Sequence, residues 1–110
     1  MRVTFVQGGG VGFDQQAAVA RVLAAAGVPV EFDVHLAGRA SLDQGKDALP
    51  ASTFEAVRAS GLALKTKLLP PLGPGNPPNY NVDFRHRLGL FASVRPVHNL
   101  AGLPSRFTGV

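Results

Sequence analysis

Apolar and polar residues switch between two periods along this chain. Val3-Thr4-Phe5-Val6 is an apolar, β-branched and aromatic run, the pattern of a buried strand. Gly8-Gly9-Gly10-Val11-Gly12 follows it and predicts a sharp turn. Asp14 then stands where a carboxylate can accept bonds from the open amides of a first helical turn, and is the expected N-cap. Residues 17–26 are strong helix formers, with Val19, Val22 and Leu23 on one side. Gly27 is placed to end that helix in the left-handed conformation. Residues 30–36 alternate apolar and polar side chains and predict a second strand. Residues 38–48 are polar and turn-rich. Leu49-Pro50 opens a second helix, with Pro50 near its first position, an apolar side of Phe54 and Val57, and Gly61 at its close. Residues 62–64 predict a third short strand. Residues 69–78 hold five prolines and two glycines and read as a loop. A short helix over 81–88 and a fourth strand over 90–97, ending at Pro96, complete the pattern. The tail, 101–110, carries turn signals and one apolar patch around Phe107.

Strands alternating with helices predict an α/β fold with a small, mostly parallel sheet of about four strands. The edges of so small a sheet stay open unless another segment or chain covers them. At 110 residues the chain is expected to form a single domain, spanning 1–110. Hydrophobic residues make up 45% and charged residues 16%, a balance that argues against disorder. With no cysteine there is no disulfide framework and no thiolate metal site. No apolar run approaches the roughly 20 residues of a membrane span, and the N-terminus lacks a signal-peptide pattern. A soluble cytoplasmic protein without membrane contact is therefore expected. The net charge of +4 attracts acidic partners in general. The basic residues are dispersed and no recognition motif accompanies them, so nucleic acid is not expected as a partner.

Candidate chemistry is sparse. The glycine loop has the spacing G-x-G-x-G followed by Phe13 and Asp14. A dinucleotide fingerprint needs its last glycine elsewhere, and Asp14 would repel a phosphate at the helix end. A tight strand-to-helix turn is the better reading. Gly45-Lys46-Asp47 lacks both the hydroxyl residue and the strand context of a phosphate loop. His35, His86 and His98 have no metal-ligand spacing, and the aspartates form no local cluster, so no metal site is expected. No serine, histidine and aspartate arrangement suggests a nucleophile. One basic set remains. Asn81 and Arg85 lie four apart on one helix face, Arg95 follows on the next predicted strand, and Lys65 ends the third. These four can converge at the carboxyl ends of the strands, where α/β sheets bind ligands. Guanidinium groups hold carboxylates through paired, charge-assisted bonds, so a small di- or tricarboxylic acid is the natural ligand. On residues alone, a solvated basic face is the stronger reading.

The ordered set of motifs resembles the N-terminal part of the isocitrate and isopropylmalate dehydrogenases, closest to the isocitrate type. The block Asn81-Val82-Asp83-Phe84-Arg85, then Leu88-Gly89-Leu90-Phe91-Ala92-Ser93-Val94-Arg95-Pro96, is similar to that family's N-x-x-x-R helix and L-x-L-x-A-x-x-R-P strand. Gln7 to Asp14 loosely matches its opening glycine loop, 21–32 its first helix and second strand, and 49–61 its L-P-x-x-T-x-E-A helix. Residues 105–110 resemble the segment before its next strand. The resemblance implies that Asn81, Arg85 and Arg95 contact substrate carboxylates and that Lys65 lies near the family's lysine after strand three. The cofactor side departs from the pattern: Gly9, Phe13 and Asp14 replace the loop's acidic and proline-glutamate residues, and Pro70-Pro71 stands for threonine-proline.

In that family a catalytic tyrosine, a lysine and metal-binding aspartates lie beyond the point matched by Val110. The expectation is thus a catalytically incomplete relative with no catalytic residue of its own. It would bind a small carboxylic acid, or serve as an accessory or regulatory subunit in a homo- or hetero-oligomer. NAD(P) and Mg2+ or Mn2+ are expected only if a partner completes the site. The alternatives are a fragment of a split or larger NAD(P)-dependent decarboxylating dehydrogenase, and an assembly module without ligand.

Overall fold

The computed structural model describes residues 1–104 and 106. Three strands form one parallel sheet in the order β2-β1-β3, with β1 Arg2–Gln7, β2 Glu31–Leu36 and β3 Ala63–Lys65. Four helices connect and cover it: α1 Gly12–Ala25, α2 Arg39–Leu42, α3 Ala51–Ser60 and α4 Tyr80–Arg87. The central strand is buried from Val3 to Gln7, as its unbroken apolar run requires of a strand covered on both faces. Alternation along β1 sends Thr4 toward α3, where its hydroxyl meets Ala56 and Ser60, and Gln7 toward Gln16 of α1. Phe5 packs edge-on against Phe32 of β2, with ring centroids 5.2 Å apart.

The main core joins Val6, Ala37, Leu49, Phe54, Leu68 and Phe84, so β1, α3, α4 and the two segments that follow β2 and β3 share it. Phe54 and Phe84 stack with centroids 5.1 Å apart. Val57, Tyr80 and Leu88 pack on the edge of this cluster. On α4 the apolar residues Tyr80, Phe84 and Leu88 recur every four positions, which turns one stripe inward.

Helix ends follow the glycines. At Gly27 (φ 67°) the chain enters the left-handed region. The Gly27 amide donates to the Ala24 carbonyl and the Val28 amide to that of Leu23, the paired bonds that close a helix around a glycine. Gly61 (φ 66°) does the same work for α3, donating to Val57.

Four sequence expectations are corrected. Residues 90–97 form no strand, and the sheet has three strands, not four. Local alternation gives strand tendency, but a strand also needs a paired edge, and this segment is not hydrogen-bonded to the sheet. Its side chains are accordingly bare: Phe91 is 100% exposed and Val94 86%. Asp14 is not the N-cap of α1. The helix begins inside the glycine loop with Val11 at the cap position, so Asp14 sits in the first turn, where its charge still suits the helix dipole. The turn-rich stretch 38–48 contains the four-residue α2. Val22 is exposed, while Val19 and Leu23 are half-buried. The expected apolar patch around Phe107 lies outside the described residues.

Candidate carboxylate site

The site grows from the carboxyl end of β3. Lys65 pairs with Val6 in the sheet register, and the chain leaves the sheet directly after it. Thr66 is buried, and its hydroxyl accepts from the Gly8 amide at 2.8 Å and donates to Gln7 Oε1 at 3.2 Å. Gln7 Oε1 also accepts from the Gly9 amide, while its Nε2 donates to Gln16. This buried network ties the glycine loop to the end of β3. The amides of Gly8 and Gly9 are thereby taken by side chains, and those of Gly12 and Phe13 by the Gly9 and Gly10 carbonyls. Four of the loop's amides are thus spent on the turn itself. The Gln7 and Thr66 pairing escapes sequence reading because two ordinary polar residues 59 apart carry no periodic signal. The available hint was a glutamine closing an apolar strand with no solvent-facing alternation around it.

Asn81 is the hinge of the arrangement. Asn79 caps α4, accepting from the Val82 amide, and so fixes the first turn on which Asn81 stands. Asn81 Oδ1 accepts from the Leu68 amide at 3.0 Å and from Lys65 Nζ at 2.9 Å, and its Nδ2 donates to the Leu68 carbonyl at 3.1 Å. One amide therefore clamps the segment after β3 to α4 and orients the lysine. Lys65 Nζ donates a second bond to the Thr66 carbonyl at 3.2 Å.

Arg85 stands one turn beyond Asn81 on the same helix. It is exposed and borders an open hollow of about 300 Å³ with Val82, His86, Leu90, Phe91 and Ser93. Among the described residues the ion pairs are those of Asp33 with Arg2 and His35, so Lys65, Arg85 and Arg95 have no carboxylate partner. His35 is half-buried in β2, as an alternating strand predicts. The structure thus joins Lys65 and Asn81 by a hydrogen bond, with Arg85 near enough for its charge to act on Lys65, while neither Lys65 nor Asn81 borders the hollow that Arg85 lines. Arg95 is exposed on the segment after α4 and does not border the hollow that Arg85 lines.

Burial holds the Lys65 ammonium below its ordinary pKa of 10.5, and the positive charge of Arg85 lowers it further. The unfolded chain then binds the extra proton at lower cost than the folded one. Stability is reduced below the folded pKa and recovers as pH rises toward 10.5. Urea titrations across that alkaline window are expected to show this rise in the native protein and a flatter profile in Lys65→Met. An identical slope in the two would contradict the assignment to Lys65.

Among the described residues no three His, Cys, Asp or Glu side chains converge as a divalent ion requires. These residues do not by themselves fit a metal, and the Gly8, Gly9, Gly12 and Phe13 amides are spent inside the protein. No described helix is long and apolar enough to cross a membrane.

Comparison with known proteins gives the family. The isocitrate/isopropylmalate dehydrogenase family model matches residues 2–107. A catalytic subunit of mitochondrial NAD isocitrate dehydrogenase from Arabidopsis thaliana is 32% identical over 97% of this chain and 28% of its own length. An NADP isocitrate dehydrogenase from Haloferax volcanii is 36% identical over 94% of this chain and 25% of its own. The crystal structure of isocitrate dehydrogenase from Methylococcus capsulatus superposes with a TM-score of 0.71 at 32% identity, covering 81% of this chain and 26% of that one. The chain thus spans about 28% of the length of the first of these relatives. Sequence match and fold agree on one conclusion: the chain belongs to the isocitrate/isopropylmalate dehydrogenase family.

Proposed function

We propose that this chain binds a small di- or tricarboxylate through Asn81, Arg85, Arg95 and Lys65, and that it is catalytically incomplete by itself. The observation that carries the reading is the cluster of Lys65, Asn81 and Arg85 at the carboxyl end of β3, with cations that no described carboxylate neutralises. Two cations beside the Asn81 amide suit an anion with several oxygens. Arg95 lies on the exposed segment after α4 and enters this reading through its resemblance to the family's arginine.

Titration calorimetry with isocitrate and citrate tests this. Binding heat is expected with the native chain. Arg85→Ala is expected to weaken binding by about tenfold or more, since a hydrogen bond to a charged group contributes about 1.5–3 kcal/mol. No heat at millimolar ligand, or equal heat from the variant, would remove the proposal.

A second reading has its own support. Leu90, Phe91, Val94 and Val97 are more than half exposed on a segment with strand-like alternation, a liability unless something covers them. That favours the chain as one piece of a split or larger decarboxylating dehydrogenase, or a subunit of an oligomer, with NAD(P) and a divalent ion held only in the completed assembly. Turnover with NAD or NADP and magnesium, appearing only when a polypeptide that supplies the rest of the fold is added, is the outcome expected on this reading.

A further inference from the structure

We propose that the outer edge of β2 is a homodimer interface, on which a second copy of this chain lays its own β2 antiparallel about Val34. The inference is independent of the carboxylate site.

Among the described residues the sheet ends in two open edges, because β2 and β3 each pair with β1 and with no further strand. Open edges invite strand addition. The two edges differ. β3 is three residues long and ends in Lys65, and both shortness and a lysine discourage a further strand. β2 is six residues long, and Val34 at its middle is 45% exposed.

Backbone alternation fixes what β2 offers. The Glu31 amide donates to the Met1 carbonyl and the Ala37 amide to the Gln7 carbonyl. Odd-numbered residues of β2 therefore spend their polar backbone groups on β1, and Phe32, Val34 and Leu36 turn theirs outward. The Leu36 carbonyl already accepts from Thr53 Oγ1 at 3.1 Å, so its amide is the group it presents. The outward row is thus centred on Val34.

The order of the side chains makes this row complementary to itself. A two-fold axis through paired Val34 residues sets Asp33 of each copy opposite His35 of the other and Phe32 opposite Leu36. Moving the axis by one residue sets Asp33 on Asp33 or His35 on His35. Like charges directly opposite are unfavourable, so charge selects the register about Val34. Asp33 and His35 already lie 3.3 Å apart within one chain, both half-buried, and the axis joins two such pairs into one alternating cluster. On the other face of the sheet, Phe32 lines an apolar hollow of about 360 Å³ with Leu23, Ala24, Val28 and Pro29. Leu36 of the second copy lands beside Phe32 at the rim of this hollow.

Sedimentation equilibrium of the chain, from micromolar to near-millimolar concentration, tests this. A reversible dimer is expected, since one strand and a few apolar side chains rank with small, weak interfaces. Val34→Lys sets two ammonium groups face to face and is expected to be monomeric over that range, with an unchanged circular dichroism spectrum. Leu64→Lys, at a comparably exposed position on β3, is expected to dimerise as the native chain does. A native chain that stays monomeric overturns the proposal and leaves the edge to a polypeptide that supplies the rest of the fold. A dimer that survives Val34→Lys, or that is lost only in Leu64→Lys, overturns it as well. Crosslinking reads the register. The chain has no cysteine, so a single introduced one reports on its own counterpart. In the proposed pairing the two residues of Val34→Cys face each other with Cα atoms about 5.5 Å apart, within disulfide reach. Those of Glu31→Cys lie about 20 Å apart along the strands, at roughly 3.4 Å per residue. Val34→Cys is expected to form a disulfide-linked dimer at least several-fold faster than Glu31→Cys. Equal rates overturn the register.

Discussion

Phe84→Ala is expected to cost about 3–5 kcal/mol of stability and to abolish carboxylate binding without touching a single ligand group. Phe84 is 3% exposed and sits in the core cluster against Phe54. It is the one fully buried residue of α4, so its ring is the main anchor of that helix. Asn81 and Arg85 stand one residue after Tyr80 and Phe84, and the functional stripe therefore lies beside the packed stripe. Without the ring, the helix is left with the edge packing of Tyr80 and Leu88 and a few hydrogen bonds, those of Asn81 to Leu68 among them, each contributing only about 1 kcal/mol net. Small domains are stable by about 5–15 kcal/mol in all, so the variant should unfold at much lower urea concentration. Urea unfolding followed by circular dichroism reads the first effect and calorimetry with citrate the second. Val82→Ala, on the exposed side of the same helix, should change stability by less than about 1 kcal/mol. A comparable loss in both variants would show that Phe84 is not what holds α4.

How much of this was legible in the sequence depends on whether a feature is local. The β1 and β2 strands and the helix stops at Gly27 and Gly61 are fixed by steric preferences of neighbouring residues and appear where the pattern puts them, although β2 does not bury alternate residues and leaves Val34 exposed. The extent of α4 was also readable, because Asn79, Tyr80, Phe84 and Leu88 carry its cap and its stripe. Strand formation over 90–97 was not, because pairing is a tertiary event and the sequence records only the tendency. The start of α1 was misplaced for a similar reason. Gly12 is buried under Gln7 and Thr66, and a side chain on it would meet Gln7 Oε1 at 2.4 Å and Thr66 Oγ1 at 2.7 Å. A glycine that reads as a turn residue is thus a helical one, chosen for close approach. At the site, residue types and helical spacing pointed to Asn81 and Arg85. They did not reveal that Asn81 spends most of its amide on the Leu68 backbone and on Lys65. A side chain that bridges segments 13 residues apart leaves no trace in periodicity.

Gly8→Ala is expected to be the most damaging methyl insertion among the described glycines, at the upper end of the about 1–3 kcal/mol that overpacking costs. A Cβ at Gly8 would lie 2.0 Å from the Lys67 carbonyl oxygen, 2.7 Å from its carbon and 2.8 Å from Leu68 Cα. All three obstacles are backbone, so no rotamer change relieves them. The two segments are also bonded across the same gap, the Leu69 amide to the Gly8 carbonyl and the Gly8 amide to Thr66 Oγ1. The methyl group must therefore push the segment after β3 away from the glycine loop. That movement pulls Leu68 off Asn81 and shifts Lys65, so the loss should extend from stability to ligand binding. Gly61→Ala separates this steric cost from ordinary glycine strain. Gly61 has φ 66° with nothing within 4 Å of an added Cβ, so alanine there meets only the left-handed backbone penalty of about 1–2 kcal/mol and should leave citrate binding intact. Urea midpoints at unchanged m-value give the stability difference, and calorimetry gives the functional one. If Gly8→Ala binds citrate as Gly61→Ala does, the glycine loop and the segment after β3 do not support the site together.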